Sequence, residues 1–200
     1  MRPMLQKLLH RWHAMLGLAR QSPASWHEDR LREEIEERDA AVTIVEKLSE
    51  SSDVIFTISR TQYDGFPVGG LPPLATLYNV PVYAFMLGKF TMRWAFYRTA
   101  AYLCGAPNWK SICEVVNPAK DSKLEQVALR HDIDPVAFVR VGNKLRPFFP
   151  LLPLMVGSGD RRACLRRSPI CSDSRSIMWL TWMVDGWSMT NRAGDIGNWI

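Results

Sequence analysis

Residues that could perform acid–base chemistry or bind a metal are concentrated in one short stretch of the sequence. His131, Asp132 and Asp134 lie within four positions of one another, and imidazole and carboxylate groups are the usual ligands and proton carriers. No further ligand stands at a spacing that would complete the set. We therefore predict that these residues are polar groups at helix ends, with an acid–base or metal role as the alternative.

Other patterns that carry chemistry are weak or absent from the sequence. His10 and His13 are one helical turn apart, and the four cysteines at positions 104, 113, 164 and 171 contain no Cys-x-x-Cys pair. No phosphate-binding loop, nucleophile elbow or pair of catalytic carboxylates can be identified. We predict no cofactor and no metal, and whether the protein is an enzyme stays uncertain, with a non-enzymatic role favoured.

The charge is distributed in blocks along the 200 residues. The net charge is only +5, but residues 28–64 hold 11 acids against 5 bases, whereas residues 1–27 and 65–113 hold no acid at all. An acidic block between two basic blocks can pair with them inside one fold. The net charge of +5 is only weak evidence for nucleic acid as a partner, and we consider nucleic acid unlikely.

The first 24 residues form a basic amphipathic segment. Apolar residues recur at helical spacing from Leu5 to Ala19, and the segment carries Arg2, Lys7, Arg11 and Arg20. Three interpretations remain open: a structural first helix, a mitochondrial targeting peptide, or a helix at a membrane surface. We expect a cytoplasmic or mitochondrial protein, attached peripherally to a membrane in the third case, and not a secreted one.

Residues 25–152 are predicted to form a helical domain, so the fold class is all-α, an irregular bundle of about five to six helices. Ser25 and Glu28 have the form of a capping box that begins a helix reaching residue 50. The predicted buried stripe of that helix consists of Leu31, Ile35, Val42, Val45 and Leu48. Val54 to Ile58 suits a strand or a helix, and we favour a helix because no partner strand is evident.

A loop and a long aromatic helix follow, and both supply candidate binding residues. The loop is rich in proline and glycine, and the helix that follows has a predicted core stripe of Val82, Phe85, Met86, Phe90, Tyr97 and Ala101. The candidates for ligand binding are Tyr63, Asp64, Phe66, Tyr78 and Tyr83. The candidates for contact with a membrane or partner are Trp12, Lys89, Arg93, Trp94 and Arg98.

Residues 124–144, LEQVALRHDIDPVAFVRVGNK, have the pattern of two helices joined by a tight turn. Asp134 is placed to cap the second helix, with proline at its first position. The stretch resembles the helix-turn-helix of the lac-repressor family, whose pattern is matched by Leu124, Val127, Ala128, Ile133, Arg140, Val141 and Asn143. That resemblance implies DNA binding.

The same stretch departs from that family at the positions that matter for DNA. Asp132 stands where the turn has glycine, and the base-reading face begins with Pro135 and Val136, which cannot read base edges. Asp132 and Asp134 would also repel phosphates. We therefore predict a helical corner in the core, with a DNA reader as a distant alternative.

Residues 153–200 lose the periodicity of the domain and are predicted to be an irregular, poorly ordered tail. They hold four of the eight tryptophans. One hypothesis is that the tail is translated intron or frame-shifted sequence of a eukaryotic gene, and another is that it binds a membrane or partner. For the whole chain we expect an accessory or adaptor protein that binds a protein partner or membrane surface. A small helical enzyme or ligand-binding protein with a pocket near residues 63–102 is the second expectation.

Overall fold

The prediction of an all-α fold is confirmed by the computed structural model, which describes residues 2–73 and 79–153. Within these residues the chain forms helices and connecting loops, with no strand. The α-helices are α1 (Arg2–Leu16), α2 (Ala24–Ala40), α3 (Ile44–Tyr63), α4 (Asn79–Leu103), α5 (Asp121–Arg130) and α6 (Pro135–Leu145). Two short 3₁₀ helices span Trp109–Ser111 and Arg146–Leu151. The predicted tail lies outside the described residues, apart from Pro153.

The chain divides into two compact units, residues 1–89 and 90–200, and the division falls within α4. In the first unit, α1 and α2 both pack against α3. Among the described helices, none combines the length and the apolar character needed to span a lipid bilayer.

The α1 helix buries a narrower stripe than its sequence predicts. Leu9 and Leu16 are 2% and 0% exposed, but Leu8 and Met15 are almost half exposed. The helix ends at Gly17, whose φ of +63° is the left-handed conformation that glycine adopts at little cost. The buried line thus follows one side of the helix, and it includes the polar side chain of His13.

The single helix predicted from residue 25 to residue 50 is wrong, because the chain forms a helical hairpin, α2 and α3. The break falls at residues 41–43, where Thr43 Oγ1 accepts from Glu46 N at 3.1 Å and Glu46 Oε2 accepts from Thr43 N at 2.8 Å. This reciprocal capping box begins α3. The box predicted at Ser25 does not form, since Pro23 caps α2 without a side-chain hydrogen bond.

The predicted buried stripe of the 25–50 helix changes with the break. Val42 and Val45 are 85% and 54% exposed, whereas the two residues that α2 buries are His27 and Glu34. Val54 to Ile58 belong to α3, as favoured from the sequence. Much of the buried face of α3 is polar and consists of Ser52, Thr57, Ser59, Arg60 and Thr61.

The core stripe predicted for α4 is almost entirely confirmed. Val82, Met86, Phe90, Tyr97 and Ala101 are at most 5% exposed, and Phe85 is half-buried. In the second unit the rings of Tyr97 and Phe138 stack at 6.3 Å. Helices α5 and α6 pack closely at Gly142, where an added Cβ atom would lie 2.6 Å from Leu124 Cδ1.

Candidate functional site

Three carboxylates of the helical hairpin meet in the first unit, and we call them the carboxylate cluster: Glu34, Glu50 and Asp53. Glu34 comes from α2, and Glu50 and Asp53 are one turn apart on α3. One oxygen from each residue lies within 4.8 Å of the other two. Like charges at this distance repel one another strongly when they are shielded from water, so the cluster requires compensating positive charge.

Two bases of the chain supply part of that charge. Arg30, one turn before Glu34 on α2, forms an ion pair with Glu34 Oε1. Lys89 Nζ donates to Asp53 Oδ2 at 2.6 Å and to Ser49 Oγ at 2.9 Å. The lysine and Asp53 are both largely buried, with side chains 12% and 16% exposed. The two bases thus pair with two different acids of the cluster.

Two oxygens of the cluster are buried and have no hydrogen-bond partner among the described residues. Glu34 is only 2% exposed, and its Oε2 has no hydrogen-bond partner among the described residues. Asp53 Oδ1 is also buried and has no hydrogen-bond partner among the described residues. Burial raises the pKa of Glu34 to about 7, with contributions in the same direction from Asp53, Glu37 and Glu50 and an opposing one from Arg30. The cluster therefore favours an additional positive charge, either a proton or a cation.

A second buried polar group, which we call the histidine network, joins α1 and α2 to the C-terminal half of α3. It consists of His13, His27, Ser59, Arg60, Thr61 and Asp64, all of them at most 5% exposed. Arg60 is bound to Asp64 at 2.8 Å and donates to the carbonyl groups of Leu18 and Ala19 at 2.9 and 3.0 Å. These bonds fix the segment after α1 against α3.

The histidines of this network are held by α3 hydroxyl groups. Ser59 Oγ donates to the Phe56 carbonyl at 3.0 Å and lies 2.9 Å from His13 Nε2. His27 Nδ1 lies 3.1 Å from Thr61 Oγ1. Burial, together with the nearby Arg60 and His10, lowers the pKa of His13 to about 3. His13 is therefore neutral at physiological pH, and its partner Ser59 is too deeply buried to attack a substrate.

Three of the predicted ligand-binding residues, Tyr63, Asp64 and Phe66, come together at this network. Tyr63 contacts the His13 ring at 5.3 Å, and Phe66 contacts the His27 ring at 4.8 Å. Tyr83 lies apart from them in the contacts described and donates its hydroxyl to the Pro72 carbonyl at 2.9 Å. Tyr78 lies outside the described residues. Tyr63 at the end of α3 and Phe66 in the following loop thus pack against histidines of α1 and α2.

The predicted membrane or partner contacts in the first unit are turned inward. Trp12 is 9% exposed, and its ring lies edge-on to Phe56 at 6.0 Å. Lys89 takes part in the carboxylate cluster through Asp53. Neither side chain is presented to solvent as an extended surface.

The other three contact residues bind within the second unit. The guanidinium of Arg98 lies 4.1 Å above the ring of Trp94, which is 9% exposed. Arg98 also donates to the Ile112 carbonyl at 3.1 Å, and Arg93 donates to the Val115 carbonyl at 3.4 Å. These bases fasten the loop after α4 to the helix.

Residues 124–144 form the predicted helical corner. Asp134 accepts from the backbone N–H groups of Val136 and Ala137 at 3.1 and 3.3 Å, as predicted for a cap. Asp132 has φ of +54°, which is the left-handed turn position where the DNA-binding motif has glycine. His131 Nε2 lies 3.2 Å from Glu114 Oε1, a partner from the loop before α5 that sequence spacing did not indicate.

The most exposed apolar residues of the hairpin lie at its turn, and we call Val42, Ile44 and Val45 the hairpin tip. Val42 and Ile44 are 85% and 86% exposed. An open cavity of about 310 Å³ lies nearby, lined by Arg38, Asp39, Lys47 and Ser51. Its charged lining differs from the apolar lining typical of small-molecule pockets.

Comparison with known proteins gives no further guide, because no family model, no curated protein and no solved structure matches this chain.

Sequence reasoning missed the carboxylate cluster for an identifiable reason. Glu34 lies in the run REEIEER, where the neighbouring acids face solvent. The available signal was the i,i+3 spacing of Glu50 and Asp53 on a helix. That spacing indicates the cluster only when the hairpin, and thus the position of α2, is known.

Proposed function

We propose that this protein is a helical adaptor that binds another protein through the hairpin tip. The observation that carries the proposal is the exposure of Ile44 and Val42, at 86% and 85%, on either side of Thr43, the N-cap residue of a formed capping box. Scattered apolar residues are normal on protein surfaces, but three β-branched ones within four positions form a local patch.

The tip is suited to binding because its geometry is set in advance. The reciprocal bonds between Thr43 and Glu46 hold the backbone that presents Val42 and Ile44. Valine and isoleucine also have few side-chain rotamers, so little conformational entropy is lost when a partner covers them. Burying one such side chain contributes about 1.5–3 kcal/mol, before the cost of association is subtracted.

The charges beside the tip indicate the chemistry of the partner. Residues 36–47 hold the acids Glu36, Glu37, Asp39 and Glu46 against the bases Arg38 and Lys47. A protein surface with an apolar hollow and a basic rim matches this arrangement. An anionic membrane surface would instead repel it, and this favours a protein partner over a membrane.

Photo-crosslinking from the tip tests the proposal. A photoreactive amino acid is placed at Val42 or at Ile44 of the full chain in cells, with the exposed position Glu28 on α2 as the control. We expect the same protein to be captured from both tip positions and not from position 28. The captured protein is then purified, and its affinity is measured for the wild type and for Ile44→Asp.

The affinity measurement decides the outcome. We expect Ile44→Asp to weaken binding by at least about tenfold, which corresponds to about 1.4 kcal/mol, and to leave the circular dichroism spectrum unchanged. Equal affinity of the two proteins would refute the proposal. Binding to anionic vesicles, or self-association in light scattering that Ile44→Asp abolishes, would replace the protein partner by a membrane or by a second copy.

A further inference from the structure

We infer that the carboxylate cluster is a binding site for a hard divalent cation, of the class of Mg²⁺ and Ca²⁺. Such ions prefer oxygen ligands, and carboxylates are the strongest oxygen ligands that proteins provide. Glu34, Glu50 and Asp53 each offer an oxygen, and these oxygens lie within 4.8 Å of one another. No metal was predicted from the sequence, and the inference is independent of the proposed adaptor function.

Clustered acids alone do not make a site, and a separate observation points to a ligand here. Glu34 is 2% exposed, and its Oε2 is buried without a hydrogen-bond partner among the described residues. Leaving a buried carboxylate oxygen without a hydrogen bond destabilises the folded protein. A cation bound to this oxygen would remove that cost.

The bases of the chain leave one oxygen of Glu34 and one of Asp53 available. Arg30 binds Glu34 through Oε1, and Lys89 binds Asp53 through Oδ2. The other oxygen of each carboxylate, Oε2 and Oδ1, is the one that lacks a partner within the described chain. Each acid can therefore keep its ion pair and still coordinate a metal through its second oxygen.

Access and charge are also consistent with a cation. Glu50 is half-buried, so the cluster is reached from solvent on the side of α3. The carboxylate oxygens of the cluster favour a cation over a neutral ligand. Since the ligands come from both α2 and α3, the bound ion would link the two helices of the hairpin.

Calorimetric titration of the full chain with CaCl₂ and with MgCl₂ at physiological ionic strength tests the inference. We expect saturable binding of one ion per chain for at least one of the two salts. Glu50→Gln should weaken this binding by at least about tenfold, since it replaces a charged ligand with a neutral amide. Glu36→Gln is the matched control, because it removes the same charge from an exposed position on α2 and should bind as the wild type does.

Failure to fold does not complicate this test. Without added cation, Glu50→Gln relieves repulsion within the cluster, so we expect its melting temperature to equal or exceed that of the wild type. Added cation should then raise the melting temperature of the wild type and of Glu36→Gln but not that of Glu50→Gln. The inference is overturned if neither salt binds saturably, or if Glu50→Gln and Glu36→Gln bind the ion equally.

Discussion

Acid should destabilise this protein through His13, a side chain with no exposed surface. Its pKa is about 3 in the folded protein, compared with 6.5 for an ordinary histidine. As the pH falls below 6.5, protons therefore bind the unfolded chain before they bind the folded protein, and the equilibrium shifts toward unfolding. The stability that depends on neutral His13 is fully present above pH 6.5 and decreases between pH 6.5 and 3.

The size of the effect follows from this difference in pKa. Each unit of difference corresponds to about 1.4 kcal/mol. Between pH 7 and pH 5 the unfolded histidine gains about 0.7 of a proton while folded His13 gains almost none, which amounts to a loss of about 2 kcal/mol. The result depends little on the exact folded pKa, because at pH 5 the folded group stays neutral for any pKa near 3.

The assay compares the wild type with His13→Gln, whose amide can still bond to Ser59 but does not titrate. Urea unfolding is followed by circular dichroism at pH 7, 6 and 5, without divalent cations. The raised pKa of Glu34 affects stability in the opposite direction over this range, but Glu34 is present in both proteins and cancels in the difference. Relative to the variant, the wild type should lose about 2 kcal/mol from pH 7 to pH 5. An equal change in the free energy of unfolding of the two proteins between pH 7 and pH 5 would refute the role of His13.

Substitutions at four further positions test individual contacts by chemical denaturation. Tyr97→Phe should leave stability unchanged or raise it by up to about 1 kcal/mol, because the buried Tyr97 hydroxyl lacks a partner within the described chain. Tyr83→Phe should lower stability by about 1 kcal/mol, because the Tyr83 hydroxyl donates to the Pro72 carbonyl. A loss for Tyr97→Phe as large as that for Tyr83→Phe would contradict this. Asp132→Gly should raise stability by up to about 1 kcal/mol, since glycine adopts the positive φ at position 132 with less strain; a destabilised variant would count against the strain. Thr43→Ala should lower stability by about 1 kcal/mol. Thr43→Ser should keep most of the wild-type stability, because the cap needs only the hydroxyl. An equal loss of stability for both variants would show that the capping hydroxyl contributes little.

The parts of the fold that the sequence predicts correctly are governed by local rules. The corner between α5 and α6 follows from an acid before a proline, since Asp134 caps the helix and Pro135 begins it. The α4 stripe follows from apolar residues at helical spacing, such as Val82 and Met86. In both cases residues close in sequence are sufficient to determine the structure.

The break between α2 and α3 could not be predicted in the same way. No glycine or proline marks residues 41–43, and apolar residues such as Val42 continue a helical pattern across them. The capping box predicted at Ser25 does not form, and the box that forms at Thr43 was not predicted. The choice between them depends on the packing of α2 along α3, which brings together residues distant in sequence.

The candidate site escaped sequence reasoning because it is polar. Hydrophobic periodicity identifies buried faces that are apolar, whereas α3 buries Ser52, Ser59 and Arg60. The buried Glu34 likewise has the same residue type as its exposed neighbours. Such positions are distinguished only by the partners that the folded chain places opposite them.

The hydroxyl- and guanidinium-lined side of α3 also limits how this protein can evolve. An apolar contact tolerates substitution, since one methyl group can replace another. Arg60, in contrast, is satisfied only where Asp64 and the carbonyl groups of Leu18 and Ala19 converge. Replacing either Arg60 or Asp64 leaves the other side chain buried without its partner, so changes at these two positions must occur together. Sequence drift should therefore be slow at these positions and fast along the outer surface of α2, a contrast that an alignment of related chains would reveal.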